Sequence, residues 1–136
     1  MNVYLGTFLI AFATLAFEIT LTRLLSVSTW YHLSFFAVST AMLGMTAGAT
    51  TVYLKPDWFS REQLNDNVAK FCLGYSLIVP VSLVILCMAP LDLKRSIMSL
   101  FVLIATTAAC SLPFYFSGVV LTVVLTKYRY PIGALY

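Results

Sequence analysis

The chain has 136 residues, 61% of them apolar and only 10% charged, against roughly 25% charged residues in a soluble domain. Its net charge of +3 comes from eight basic and five acidic side chains spread along the sequence, with no basic face or stripe of the kind nucleic-acid binding requires. The composition is that of an integral membrane protein, and the expectation is an all-α, polytopic bundle of four transmembrane helices forming a single domain over residues 1–136.

The first hydrophobic segment runs from about Val3 to Leu25 and contains "LAFEITLTRLL", with Glu18 and Arg23 inside it. Such charges cost about 2.5 to 3.5 kcal/mol each at mid-bilayer on insertion scales. Small residues follow at Ser26-Val27-Ser28, but there is no basic n-region and the apolar run is about twice a signal-peptide core, so a retained first helix is expected. At 100° per residue, Thr7, Thr14 and Thr22 each lie within about 40° of Glu18, a polar stripe turned toward other helices. Arg23 falls about 140° from Glu18, which argues against a pair within the helix. Its long stem instead lets the guanidinium snorkel to the headgroups. Glu18 has two readings, a structural hydrogen bond between helices and a proton or substrate role.

Trp30, Tyr31 and His32 follow. The two aromatics fit an interfacial belt. His32 reads as a hydrogen-bonded interface residue more readily than as a ligand, and a pH response through it is a further reading. The second segment, about Tyr31 to Leu54, is stopped by Lys55-Pro56, because proline lacks a donor and restricts the residue before it. It carries a GxxxG at Gly44 and Gly48, extended by Ala37 and Thr40. That small face admits a close helix, and the polar stripe of the first segment is its expected partner.

The polar stretch "WFSREQLNDNVAKF" has Ser60 and Gln63 at capping-box spacing, with Phe59 and Leu64 at the staple positions. Leu64, Val68 and Phe71 continue one apolar stripe. A helix should therefore begin near Arg61, lie first at the interface beside the anchor Trp58, and continue through the third apolar segment to Ala89. Pro80 lies inside it. The fourth segment, Ile97 to Leu125, is about 29 residues and so about 43 Å long, more than a hydrocarbon core of about 30 Å. Pro113 within it supplies a reason to bend, so kinks are expected at Pro80 and Pro113.

With four crossings, Lys55, Arg61, Lys70, Lys127 and Arg129 share one side, against Lys94, Arg95 and a snorkelling Arg23 on the other. The positive-inside rule then places both termini in the cytoplasm. Cys72, Cys87 and Cys110 are widely spaced in apolar sequence and read as small buried hydrophobes. No nucleophile-base pair, zinc site or strand followed by G-x-G-x-x-G occurs, so no catalytic, cofactor-binding or metal residue is expected. The candidate polar site is Glu18, Arg23, Thr14, Thr22 and His32.

Three stretches, "LAFEITLTRLLSVSTWYHLSFFAVSTAMLGMTAGA", "LPFYFSGVVLTVVLT" and "YPIGALY", together resemble the amino-terminal membrane region of bacterial integral-membrane spermidine-synthase-like proteins. The resemblance matches Glu18 and Arg23 to an acid and an arginine in the family's first helix. It matches Trp30, Tyr31 and His32 to an aromatic and histidine stretch, and Gly44 and Gly48 to a small-residue second helix. It implies a bacterial inner-membrane domain that precedes further helices and a cytoplasmic Rossmann-type aminopropyltransferase-like domain. This sequence shows neither that domain's cofactor-binding glycines nor its aspartate, so the expectation is either the membrane part of a longer protein or a stand-alone relative, and no enzyme in these residues. Two other readings stay open. One is an accessory subunit packed against a larger membrane protein complex through the GxxxG face and the aromatic belt, and the other is a transporter-like module handling a polar solute through Glu18 and Arg23, which would require an oligomer.

Overall fold

A computed structural model describes residues 2–28, 34–55, 64–88 and 97–127. Four α-helices fill those stretches in chain order: α1 Asn2–Ser28, α2 Ser34–Leu54, α3 Leu64–Met88 and α4 Ile97–Lys127. Each is long and apolar enough to cross a membrane, over Leu5–Val27, Phe35–Leu54, Asp66–Met88 and Ile104–Thr126. The protein is an all-helical, multi-pass membrane bundle. α1 and α4 run a few residues beyond the ends expected from hydropathy, since no proline or glycine stops the chain after Leu25 or Leu125. The expected interfacial start at Arg61 and the anchors Trp30, Tyr31 and Trp58 lie outside the described residues.

The outer faces suit a lipid surrounding. Leu5, Phe8, Phe12, Leu15 and Ile19 make one side of α1 and are each about 60% exposed, a contiguous apolar surface that water would not tolerate. Lipid also cannot satisfy hydroxyls, and the helices answer this locally. Thr20, Thr50, Thr51 and Thr126 each donate to the carbonyl four residues back, at 2.7 to 2.8 Å, so none of these hydroxyls faces hydrocarbon unpaired.

α4 is the hub. Half of its apolar window is buried, against 17 to 33% in the other helices, and it packs against all three. Toward the α1 carboxyl end, Phe17, Leu21 and Leu25 meet Ala37 and Ala41 of α2, Leu86 of α3, and Cys110 and Phe114 of α4. The Phe17 and Phe114 rings lie 5.1 Å apart in a tilted arrangement. Toward the other end, Val52 joins Val119 and Val123, covered by Val68 and Phe71. The stripe that runs on from the polar stretch thus reaches the core of α4.

The closest approach is between α2 and α4. A β-carbon built on Gly44 would lie 2.5 Å from the Ser111 carbonyl oxygen and 2.7 Å from Phe114 Cβ. One on Gly48 would run into the Tyr115 carbonyl oxygen, and one on Gly118 would meet the Met45 carbonyl oxygen at 2.7 Å. The two backbones touch because glycines stand on both sides of the seam. This corrects the expectation that the GxxxG face receives α1. The physical reason is reciprocity, since α4 offers Gly118 opposite Met45, whereas the one glycine of α1, Gly6, has nothing within 4 Å.

Pro80 and Pro113 both lie inside continuous helices. Pro113 removes the N–H that would bond the Ala109 carbonyl, one turn earlier. Ser82 of α3 supplies the replacement, its Oγ donating to Ala109 O at 2.9 Å. Ser82 is itself buried, so the repair also ties α3 to α4.

Candidate functional site

The buried side of α1 is Thr14, Phe17, Leu21 and Leu25, a spacing of three and four that makes one stripe. Thr14 is its polar member and reaches two other helices. Its Oγ1 donates to the Ile10 carbonyl at 2.7 Å, lies 2.7 Å from Ser117 Oγ of α4, and lies 3.5 Å from the Tyr75 hydroxyl of α3. A hydroxyl has one proton and two lone pairs. With its proton on Ile10, Thr14 is left to accept from Ser117, and the 3.5 Å contact with Tyr75 is the loosest of the three. Ser117 is wholly buried and Tyr75 nearly so. The outcome is a three-helix hydroxyl cluster in the bundle interior. Thr14→Val keeps the shape and removes the hydroxyl, and should cost about 0.6 to 1.7 kcal/mol, the range for hydrogen bonds between membrane helices. Unfolding in mixed micelles measures it, with Thr20→Val as the lipid-side comparison expected to change stability less.

The other predicted site residues do not join this cluster. Glu18 is half-buried on the border of the stripe, and Thr22 gives its hydroxyl to the Glu18 main-chain carbonyl. Arg23 is exposed. Among the described residues, no hydrogen bond or ion pair reaches the Glu18 carboxyl group, and Arg23 makes none with it. Thr40 is buried in α2 with its hydroxyl on Phe36 O. His32 lies outside the described residues. Also among the described residues, no three His, Cys, Asp or Glu side chains gather as they would around a metal ion.

Beside the hydroxyl cluster, α1 and α3 barely touch. Between them is an open groove of about 520 Å³, walled by Ile10 and Ala13 of α1 and by Cys72, Tyr75, Ser76 and Val79 of α3. Across α4, the Tyr115 hydroxyl donates to Thr51 Oγ1 at 3.3 Å, a polar tie of α2 to α4.

Reasoning along the sequence passes over Tyr75, Ser82 and Ser117. Each is one polar residue in an apolar helix, with no periodic pattern to mark it. Only Ser82 has a readable signal, a proline elsewhere whose orphaned carbonyl needs a donor. Searches among protein-family models, curated proteins and solved structures find no match to this chain.

Proposed function

We propose that the chain is a transmembrane scaffold domain, non-catalytic in itself, of the kind that anchors the catalytic domain in spermidine-synthase-like proteins. The observation that carries this reading is the way the interior is closed. Gly44, Gly48 and Gly118 lock α2 on α4 backbone to backbone, and Thr14, Ser117 and Ser82 each share a hydrogen bond with a neighbouring helix. Such an interior is built to hold helices together. The membrane is the bacterial inner membrane, with both termini cytoplasmic and Lys55, Arg61, Lys70, Lys127 and Arg129 on that face.

Two measurements test this. A fluorescent protein fused after Tyr136 should fold and glow in the cytoplasm, while alkaline phosphatase fused there should be inactive; the reverse pattern overturns the orientation. The native protein, purified from its own membranes, should yield peptides beyond Tyr136 and transfer aminopropyl groups. A mature product ending at Tyr136 overturns the anchor reading.

One observation favours a second reading, the half-buried Glu18 whose carboxyl group has no partner among the described residues. An intramembrane acid of this kind suits a module that handles a polar solute. In that case Glu18→Gln abolishes uptake of a charged solute into vesicles at unchanged expression. Lower expression with unchanged uptake makes Glu18 structural.

A further inference from the structure

The two prolines break the backbone ladder in the same way, but among the described residues a side chain repairs one break and not the other. Ser82 fills the vacancy that Pro113 leaves at Ala109. Pro80 leaves the Ser76 carbonyl without its helical donor, and among the described residues no side chain of the bundle replaces it. Ser76 lines the α1–α3 groove. Next to it Tyr75 is 7% exposed, and among the described residues its hydroxyl has the 3.5 Å contact with Thr14 as its one hydrogen bond.

Size and setting define what fits. The groove, at about 520 Å³, falls within the range of roughly 300 to 1,000 Å³ typical of small-molecule sites, and like them it is apolar with a few polar groups. Its α3 wall runs from Cys72 to Val79, about 10 Å at 1.5 Å per residue. A second transmembrane helix would need a seat about three times longer. The groove opens between the spans Leu5–Val27 and Asp66–Met88, so a molecule enters it from the hydrocarbon. An orphaned carbonyl accepts only a donor, which selects a hydroxyl over an ester or an alkane.

We propose that this groove binds a single-chain membrane amphiphile bearing a hydroxyl group. The chain lies against Leu9, Ile10, Ala13 and Val79, and the hydroxyl donates to the Ser76 carbonyl. Its polar contact is the one Pro80 creates, and Tyr75, the neighbour of Ser76 in the chain, lines the same groove.

The full chain in phosphatidylcholine vesicles is photolabelled with a long-chain alcohol carrying a mid-chain diazirine, and separately with the matching hydrocarbon. The alcohol should label the peptide containing residues 72–79 about three- to tenfold more than the hydrocarbon, the value of one net hydrogen bond. Pro80→Ala returns the missing N–H in a residue that favours helix, and should bring that ratio to about one. A change in groove shape would move both probes together and leave the ratio intact. Ala13→Leu fills the groove and should lower labelling by both. Equal labelling of the wild type by the two probes overturns the proposal, as does an undiminished preference in Pro80→Ala.

Discussion

Gly48→Ala should destabilise the bundle by about 2 to 3 kcal/mol, the upper part of the range for overpacking a tight interior. The new methyl would meet the Tyr115 carbonyl oxygen, with Val119 N at 2.9 Å and the Gly118 carbonyl carbon at 3.2 Å. All three are backbone atoms of a helix, which cannot turn aside as a side chain can. α4 must back away along the whole seam and forfeit its dispersion contacts with α2. Gly74→Ala is the graded comparison, because its methyl would meet the Phe116 ring at 2.8 Å, and a ring can rotate. Gly6→Ala is the zero, with nothing within 4 Å of the added carbon, and its better helix propensity should make it neutral or stabilising by up to about 1 kcal/mol. Unfolding in mixed micelles, followed by helicity, ranks the three. Equal effects at Gly6 and Gly48 would remove the α2–α4 seam from its place at the centre of the fold.

Ser82→Ala should cost about 1 to 3 kcal/mol, the penalty for leaving a buried acceptor unmatched. The loss is specific to the break that Pro113 makes. In a Pro113→Ala background residue 113 has its own N–H, the Ala109 carbonyl regains its helical donor, and Ser82→Ala should then cost little. The measurement is a double-mutant cycle, with a coupling of at least about 0.5 kcal/mol expected for groups in contact. If the two changes simply add, the serine does not serve the proline and contributes only through packing.

The four helices are legible in the sequence because length and apolarity alone decide what crosses a membrane, and every segment satisfies both. Pairing is less legible. In water a buried face differs from an exposed one in polarity, but in lipid both are apolar, so a hydrophobic stripe no longer names its neighbour. The GxxxG face shows this directly: Gly44 and Gly48 are plain in the sequence, yet their partner depends on Gly118, a lone glycine that no motif marks. The polar stripe of α1 is legible only as an edge. Thr14 belongs to the buried face, while Glu18 and Thr22 border it, because Phe17, Leu21 and Leu25 turn that face slightly away from them. Tyr75 and Ser117, from α3 and α4, meet Thr14 only in three dimensions.

The central position of α4 also sets an order of events during synthesis. α2 and α3 follow one another in the chain but hardly touch, and each has its main interface with α4. When the first three helices have left the ribosome, the glycine face of α2 and the serine of α3 still lack their counterparts, which lie in α4. The nascent bundle therefore waits, loosely associated, until the fourth helix enters the bilayer and closes it, and during that interval the exposed Gly44–Gly48 face is open to any other helix that can approach as closely.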